Sequence, residues 1–130
     1  MADIINDDSI LASVKKTMPG SVLPQDYEVF DQELIVHINA VLARLQQLGV
    51  GPLDEVFAIS GYEEKWSDIV DDQELCSLMP TYVAMRVRLG WDTPKSSNVS
   101  QSLTEIIKEN EFAIMDAARR YRRRKEDANG

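Results

Sequence analysis

The sequence predicts an all-α fold: a small domain of about four helices, with a short extended segment near 56–59 and a C-terminal arm. Three observations carry this. Apolar residues recur at helical spacing over long stretches, glycine and proline punctuate the chain between them, and one short apolar run reads as a possible strand.

Asp8 or Ser9 is placed to cap a first short helix whose apolar side is Ile10, Leu11 and Val14, and Pro19 and Gly20 stop it. Pro24 opens a second element. From Asp31 the apolar positions are Leu34, Ile35, Ile38, Val41, Leu42, Leu45 and Leu48, the i, i+3, i+4, i+7 pattern of an amphipathic helix. Gly49 stands where a left-handed C-cap is wanted, and Pro52 prevents resumption.

Residues 56–59 (Val56, Phe57, Ala58, Ile59) are either a strand or an extended segment pinned to the core, with Trp66 and Ile69 as a second anchor. Asp71 and Glu74 supply an Asp-x-x-Glu capping signature. A long, mostly buried helix follows to about Gly90 through Leu75, Leu78, Met79, Tyr82, Val83, Met85 and Leu89. Pro80 lies within it, which predicts a kink or a start only one turn earlier. Residues 93–97 read as a loop. The last helix carries Leu103, Ile106, Ile107, Ile114, Ala117, Ala118 and Tyr121 on one face. There is no solenoid period.

With 130 residues, 44% of them hydrophobic and 28% charged, the chain is large enough for one domain. The net charge is −8, which argues against a free-standing nucleic-acid binder. The charge is uneven: residues 1–118 carry 8 positive and 20 negative groups, whereas 119–125 hold six positive and none negative. We therefore divide the chain into a helical domain, 1–118, and a basic arm, 119–130. An acidic body with a basic arm is suited to self-association or to an acidic partner, while the plainer alternative is a solvated helix end.

No stretch is apolar enough for a membrane span, and the acidic start does not read as a signal peptide, so a soluble cytoplasmic protein is expected. One cysteine, Cys76, and one histidine, His37, leave no disulfide, cysteine-rich zinc site or triad. Gly49, Val50 and Gly51 follow a helix and precede no Lys-Ser/Thr, so they read as a helix cap rather than a phosphate loop. His37 beside the apolar stripe reads as a surface or interface residue. Acidic neighbours raise the thiol pKa of Cys76 and argue against a nucleophile. The carboxylates Glu63, Glu64, Asp68, Asp71, Asp72 and Glu74 lack the spacing of a calcium loop and read as caps and a solvated face. No enzyme, cofactor or metal is expected.

Taken as an ordered series, several segments resemble the small head–tail connector (adaptor) proteins of tailed bacteriophages. They are ELIVHINAV at 33–41, QQLGVGP at 46–52, FAI at 57–59, WSD at 66–68, TYVAMRVRLGWDTP at 81–94 and SLTE at 102–105, spanning roughly residues 25–115. The resemblance implies a virion protein of the neck, made in the host bacterial cytoplasm, in a ring of about twelve copies below the portal. Such a ring extends the DNA channel, lets DNA pass without sequence-specific binding, and offers a platform for the stopper or tail-completion protein. Family members reach the portal protein with a terminal arm, a part that falls here to Arg119, Arg120, Tyr121, Arg122, Arg123, Arg124 and Lys125. Trp66, Met79, Met85 and Trp91 are the expected subunit interface, their burial completed on assembly. Pro80 inside the long helix and the arginine-rich arm depart from the family pattern. Two other classes stay open on the residues: a small acidic inhibitor or anti-defence protein that mimics DNA charge, and a DNA-binding accessory factor that uses the arginine tail.

Overall fold

In the computed structural model, which describes residues 9–17, 31–51, 56–91 and 97–129, five helices form. They are α1 (Ile10–Lys16), α2 (Asp31–Gln47), α3 (Trp66–Ile69), α4 (Gln73–Trp91) and α5 (Ser97–Asn129), with no strand among the described residues. The expected stops at Pro19, Gly20 and Pro52, the element opening at Pro24 and residues 93–96 of the loop lie outside those residues.

Helix α4 is the centre of the fold and packs against each of the other four. Its Leu75, Met79, Tyr82, Val83 and Val87 are almost fully buried. They meet the α2 stripe (Leu34, Ile38, Leu42, Leu45) and Ile107, Ile114, Ala117 and Ala118 of α5. Each large apolar side chain buried in this way contributes about 1.5–3 kcal/mol. Pro80 does not end the helix, which begins at Gln73, nearly two turns before it. Its cap is Asp72, whose Oδ2 accepts from the Leu75 N–H at 3.0 Å; Asp71, expected in that role, points elsewhere.

Seven residues are too few for a stable isolated helix, so α1 depends on its ties. Ser9 caps it, with its Oγ accepting from the Ala12 N–H at 3.3 Å. Ser9 also forms an isolated antiparallel bridge with Lys65, and the Ile10 N–H donates to the Glu64 carbonyl at 3.0 Å. The Trp66 indole donates to Ser13 Oγ at 3.3 Å.

The 56–59 run is pinned rather than paired as a strand. The Asn39 side chain on α2 accepts from the Ile59 N–H at 2.8 Å and donates to the Ile59 carbonyl at 3.1 Å. One amide thus does the hydrogen bonding of a neighbouring strand.

Helix α2 ends as expected. The Val50 N–H reaches the Leu45 carbonyl and the Gly49 N–H the Gln46 carbonyl, both at 3.0 Å, with Gly49 at φ 100°. Replacing Gly49 by alanine forces an L side chain into that region and is expected to cost roughly 1–2 kcal/mol, read from the urea midpoint.

Candidate functional site

The stripe that seats α5 on α4 ends at Ala117, Ala118 and the half-buried Tyr121, and the helix then continues to Asn129. No break separates 118 from 119. Six cations in two turns repel one another unless they are paired, and the fold pairs half of them at the start of α4. Arg120 forms a two-pronged contact with Glu74, at 2.8 and 3.0 Å, and also reaches Asp116 at 3.1 Å. Arg124 meets Asp72 at 2.8 Å, and Lys125 lies 3.7 Å from Asp71. Tyr121 donates to Asp71 at 2.5 Å.

The electrostatics follow from these contacts. The hydrogen bond to Asp71, reinforced by burial, pushes the Tyr121 hydroxyl up to about 12. Asp71 in turn is held below its ordinary value by Tyr121 and by the charge of Lys125. Each pair is exposed and individually worth little, but together they latch the end of α5 to the head of α4.

The remaining cations face differently. Arg122 lies across the end of α2, its Nη2 2.8 Å from where a Gly49 Cβ would stand, close to the negative end of the α2 dipole. Arg119 is two-thirds exposed, with only a 3.9 Å approach to Asp116. Arg123 is exposed and forms no ion pair among the described residues.

The four expected interface residues separate. Trp66 is 4% exposed and Met79 0%, so their burial is complete within one chain, correcting the expectation that assembly finishes it. The reason is local: Trp66 lies under α1 and Met79 is on the inner face of α4. Met85 is half-buried and lines two grooves, one between α1 and α4 and one between α4 and α5. The side chain of Trp91 lies outside the described set. Ile106, expected in the α5 stripe, is 46% exposed at its margin.

The other singled-out groups have local duties. Glu64 accepts from the Ser60 and Gly61 N–H groups, Asp68 accepts from the Lys65 N–H, and Cys76 donates to the Val70 carbonyl. His37 is partly buried, close to Gly90.

Two polar clusters escape the reading of the sequence. Glu111 of α5 accepts from Arg44 of α2 at 3.1 and 3.3 Å and from the buried Tyr82 hydroxyl of α4 at 2.6 Å, with Arg86 at 3.9 Å. Burial disfavours its charge, but these donors outweigh burial and hold Glu111 below the ordinary carboxylate value. The spacing offers a signal: Glu111 is four residues after Ile107 and three before Ile114, on their stripe. In the second cluster the Lys15 ammonium lies 2.9 Å from Asp31 and donates to Tyr62 at 2.6 Å, while Tyr62 donates to Asp31 at 2.8 Å.

A family model described as phage connector protein matches residues 10–120. That span takes in α1 to α4 and most of α5, and it stops as the paired part of the basic segment begins. No curated protein and no solved structure matches the chain.

Proposed function

The chain belongs to the phage connector protein family, and from that premise we propose that it is a structural head–tail connector of the virion neck. The observation that carries this reading is the family match across 10–120, which covers the whole packed body. In this reading about twelve copies form a ring below the portal, extend the DNA channel and present a platform to the stopper or tail-completion protein. The work is structural rather than enzymatic. A body with 8 positive and 20 negative groups, a balance of −12, suits a channel wall, because a wall that does not grip phosphates lets DNA slide.

The basic end is the portal-docking element in this proposal. Arg120, Arg124 and Lys125 already have carboxylate partners on α4 or just before it, so Arg119 and Arg123 are the cations best placed to meet carboxylates of the portal. The same pairing weakens both alternatives. A DNA mimic needs free carboxylates, and a DNA-gripping tail needs free cations.

The test is the mass of the protein alone and mixed with its portal ring, by light scattering after size exclusion. Co-elution with an increment of about a dozen subunits is expected. A portal left untouched overturns the connector reading. The double variant Arg119→Glu/Arg123→Glu is expected to weaken portal binding by at least about tenfold with helix content unchanged. Wild-type affinity in that variant would remove the arm from the proposal while leaving the connector reading in place.

A further inference from the structure

Helix α5 has exposed apolar residues on two sides. On its outer side Phe112 is 78% exposed, with Met115 one turn on at 42%. On the flank facing the second half of α4 lie Val99, 54% exposed, and Ile106, 46% exposed. Val99, Leu103 and Ile106 line an open groove of about 400 Å³ with Met85, Arg88, Asn98 and Ser102. Six residues at about 100° each set Phe112 about 120° around the helix from Ile106. The knob and the groove therefore face different directions, and one chain cannot seat its own Phe112 in its own groove.

Charge follows the same division. Arg88 is the charged group of the groove, and no carboxylate lines it. Glu109, one turn before Phe112, is exposed. Among the described residues neither Arg88 nor Glu109 has an ion-pair partner. Lys108 lies on the other side of Phe112, toward Met115, where it does not meet the groove when Glu109 does.

We propose that α5 carries both halves of a head-to-tail contact between copies of this chain. Phe112 and Met115 of one copy seat against Met85, Leu103 and Ile106 of the next, with Glu109 of the first paired to Arg88 of the second. Because the two patches differ, the contact is heterologous: each copy keeps one knob and one groove to offer, and a series closes into a ring when the rotation permits. The inference deepens the connector reading and rests on it for closure alone. The pairwise contact stands on the exposure and charge of these residues.

Sedimentation of the full chain at rising concentration tests it with two surface variants, Phe112→Asp and Ile106→Arg, each first checked for wild-type helix content by circular dichroism. The wild type is expected to self-associate, and each variant to lose at least about tenfold in association constant. The equimolar mixture of the two is expected to form dimers and stop there. The Phe112→Asp chain still offers a groove and the Ile106→Arg chain still offers Phe112, so one sound contact forms and both outer ends are spoiled. Arg88→Glu and Glu109→Arg are expected to weaken association singly and to restore it together in one chain. A wild type that stays monomeric up to about 1 mM overturns the proposal, as does a Phe112→Asp chain that associates normally or a mixture that remains monomeric. If wild type and Phe112→Asp build the same ring on the portal, this contact falls and the connector reading stands. If neither engages the portal, the connector reading itself falls.

Discussion

Replacing Glu111 with alanine is expected to destabilise the protein by roughly 3 kcal/mol, although the residue is one of six acids on α5. The cost comes from what the change leaves behind. Tyr82 is fully buried and its hydroxyl donates to Glu111, so the variant strands a buried donor. Arg44 loses a two-pronged partner and Arg86 a nearby counter-charge, and α2, α4 and α5 lose a group that joins all three. Tyr82→Phe removes the donor as well as the bond and is expected to cost only about 1 kcal/mol. In the double variant the two losses should add to less than their sum, because no hydroxyl is then stranded. Urea denaturation of the four proteins checks this; a Glu111→Ala loss no larger than that of an exposed glutamate such as Glu105 would show that the network carries no stability.

The same group gives the protein an acid limb. In the unfolded chain Glu111 takes up a proton near its ordinary value of 4.5, whereas in the fold it resists protonation to lower pH. Its contribution is therefore full above about pH 4.5 and is lost as the pH falls through the folded value. The Glu111→Ala chain should show a flatter decline over that range.

The parts of the molecule that are legible in the sequence are those governed by period and punctuation. The α2 stripe and the Gly49 cap follow from local spacing, and so does the buried face of α4. Sequence spacing is weaker at margins. Ile106 falls at the edge of the α5 stripe and lies half exposed, and α5 begins at Ser97, the last residue of the expected 93–97 loop. The 56–59 run is ambiguous in sequence because its partner is a single side-chain amide on α2, which leaves no periodic trace. The basic segment stands out as a charge block, but its partners at the head of α4 are 46 to 54 residues away in the chain. Asp71, Asp72 and Glu74 are visible as an acidic group. That they bind the arm depends on how α4 and α5 pack, which no local pattern records.

The largest loss is expected from Asp31→Ala, at about 3–5 kcal/mol, because it removes the carboxylate 2.9 Å from the buried Lys15 ammonium. The Lys15 side chain is 1% exposed, and the Tyr62 hydroxyl that also accepts from it is neutral. Burial is the strongest single influence on Lys15 and disfavours its charge, yet the hydrogen bonds to Tyr62 and Asp31 outweigh it and raise its pKa above the ordinary 10.5. In the wild type this contribution is complete below that value and is lost as the pH rises through the higher folded one. Removing Asp31 takes away much of what opposes burial, so the folded pKa of Lys15 should fall below that of the unfolded chain. The slope then reverses: the unfolded state binds more protons, and the variant should regain stability as the pH rises toward 10.5. The double change Lys15→Met/Asp31→Leu removes both charges, keeps the apolar stem, and is expected to fall within about 1 kcal/mol of the wild type. Urea midpoints of the three chains at pH 7 and pH 10 separate these outcomes. Equal losses for the single and double variants would mean that the carboxylate acts through α2 alone, as a favourable charge in its first turn, and that Lys15 does not need it.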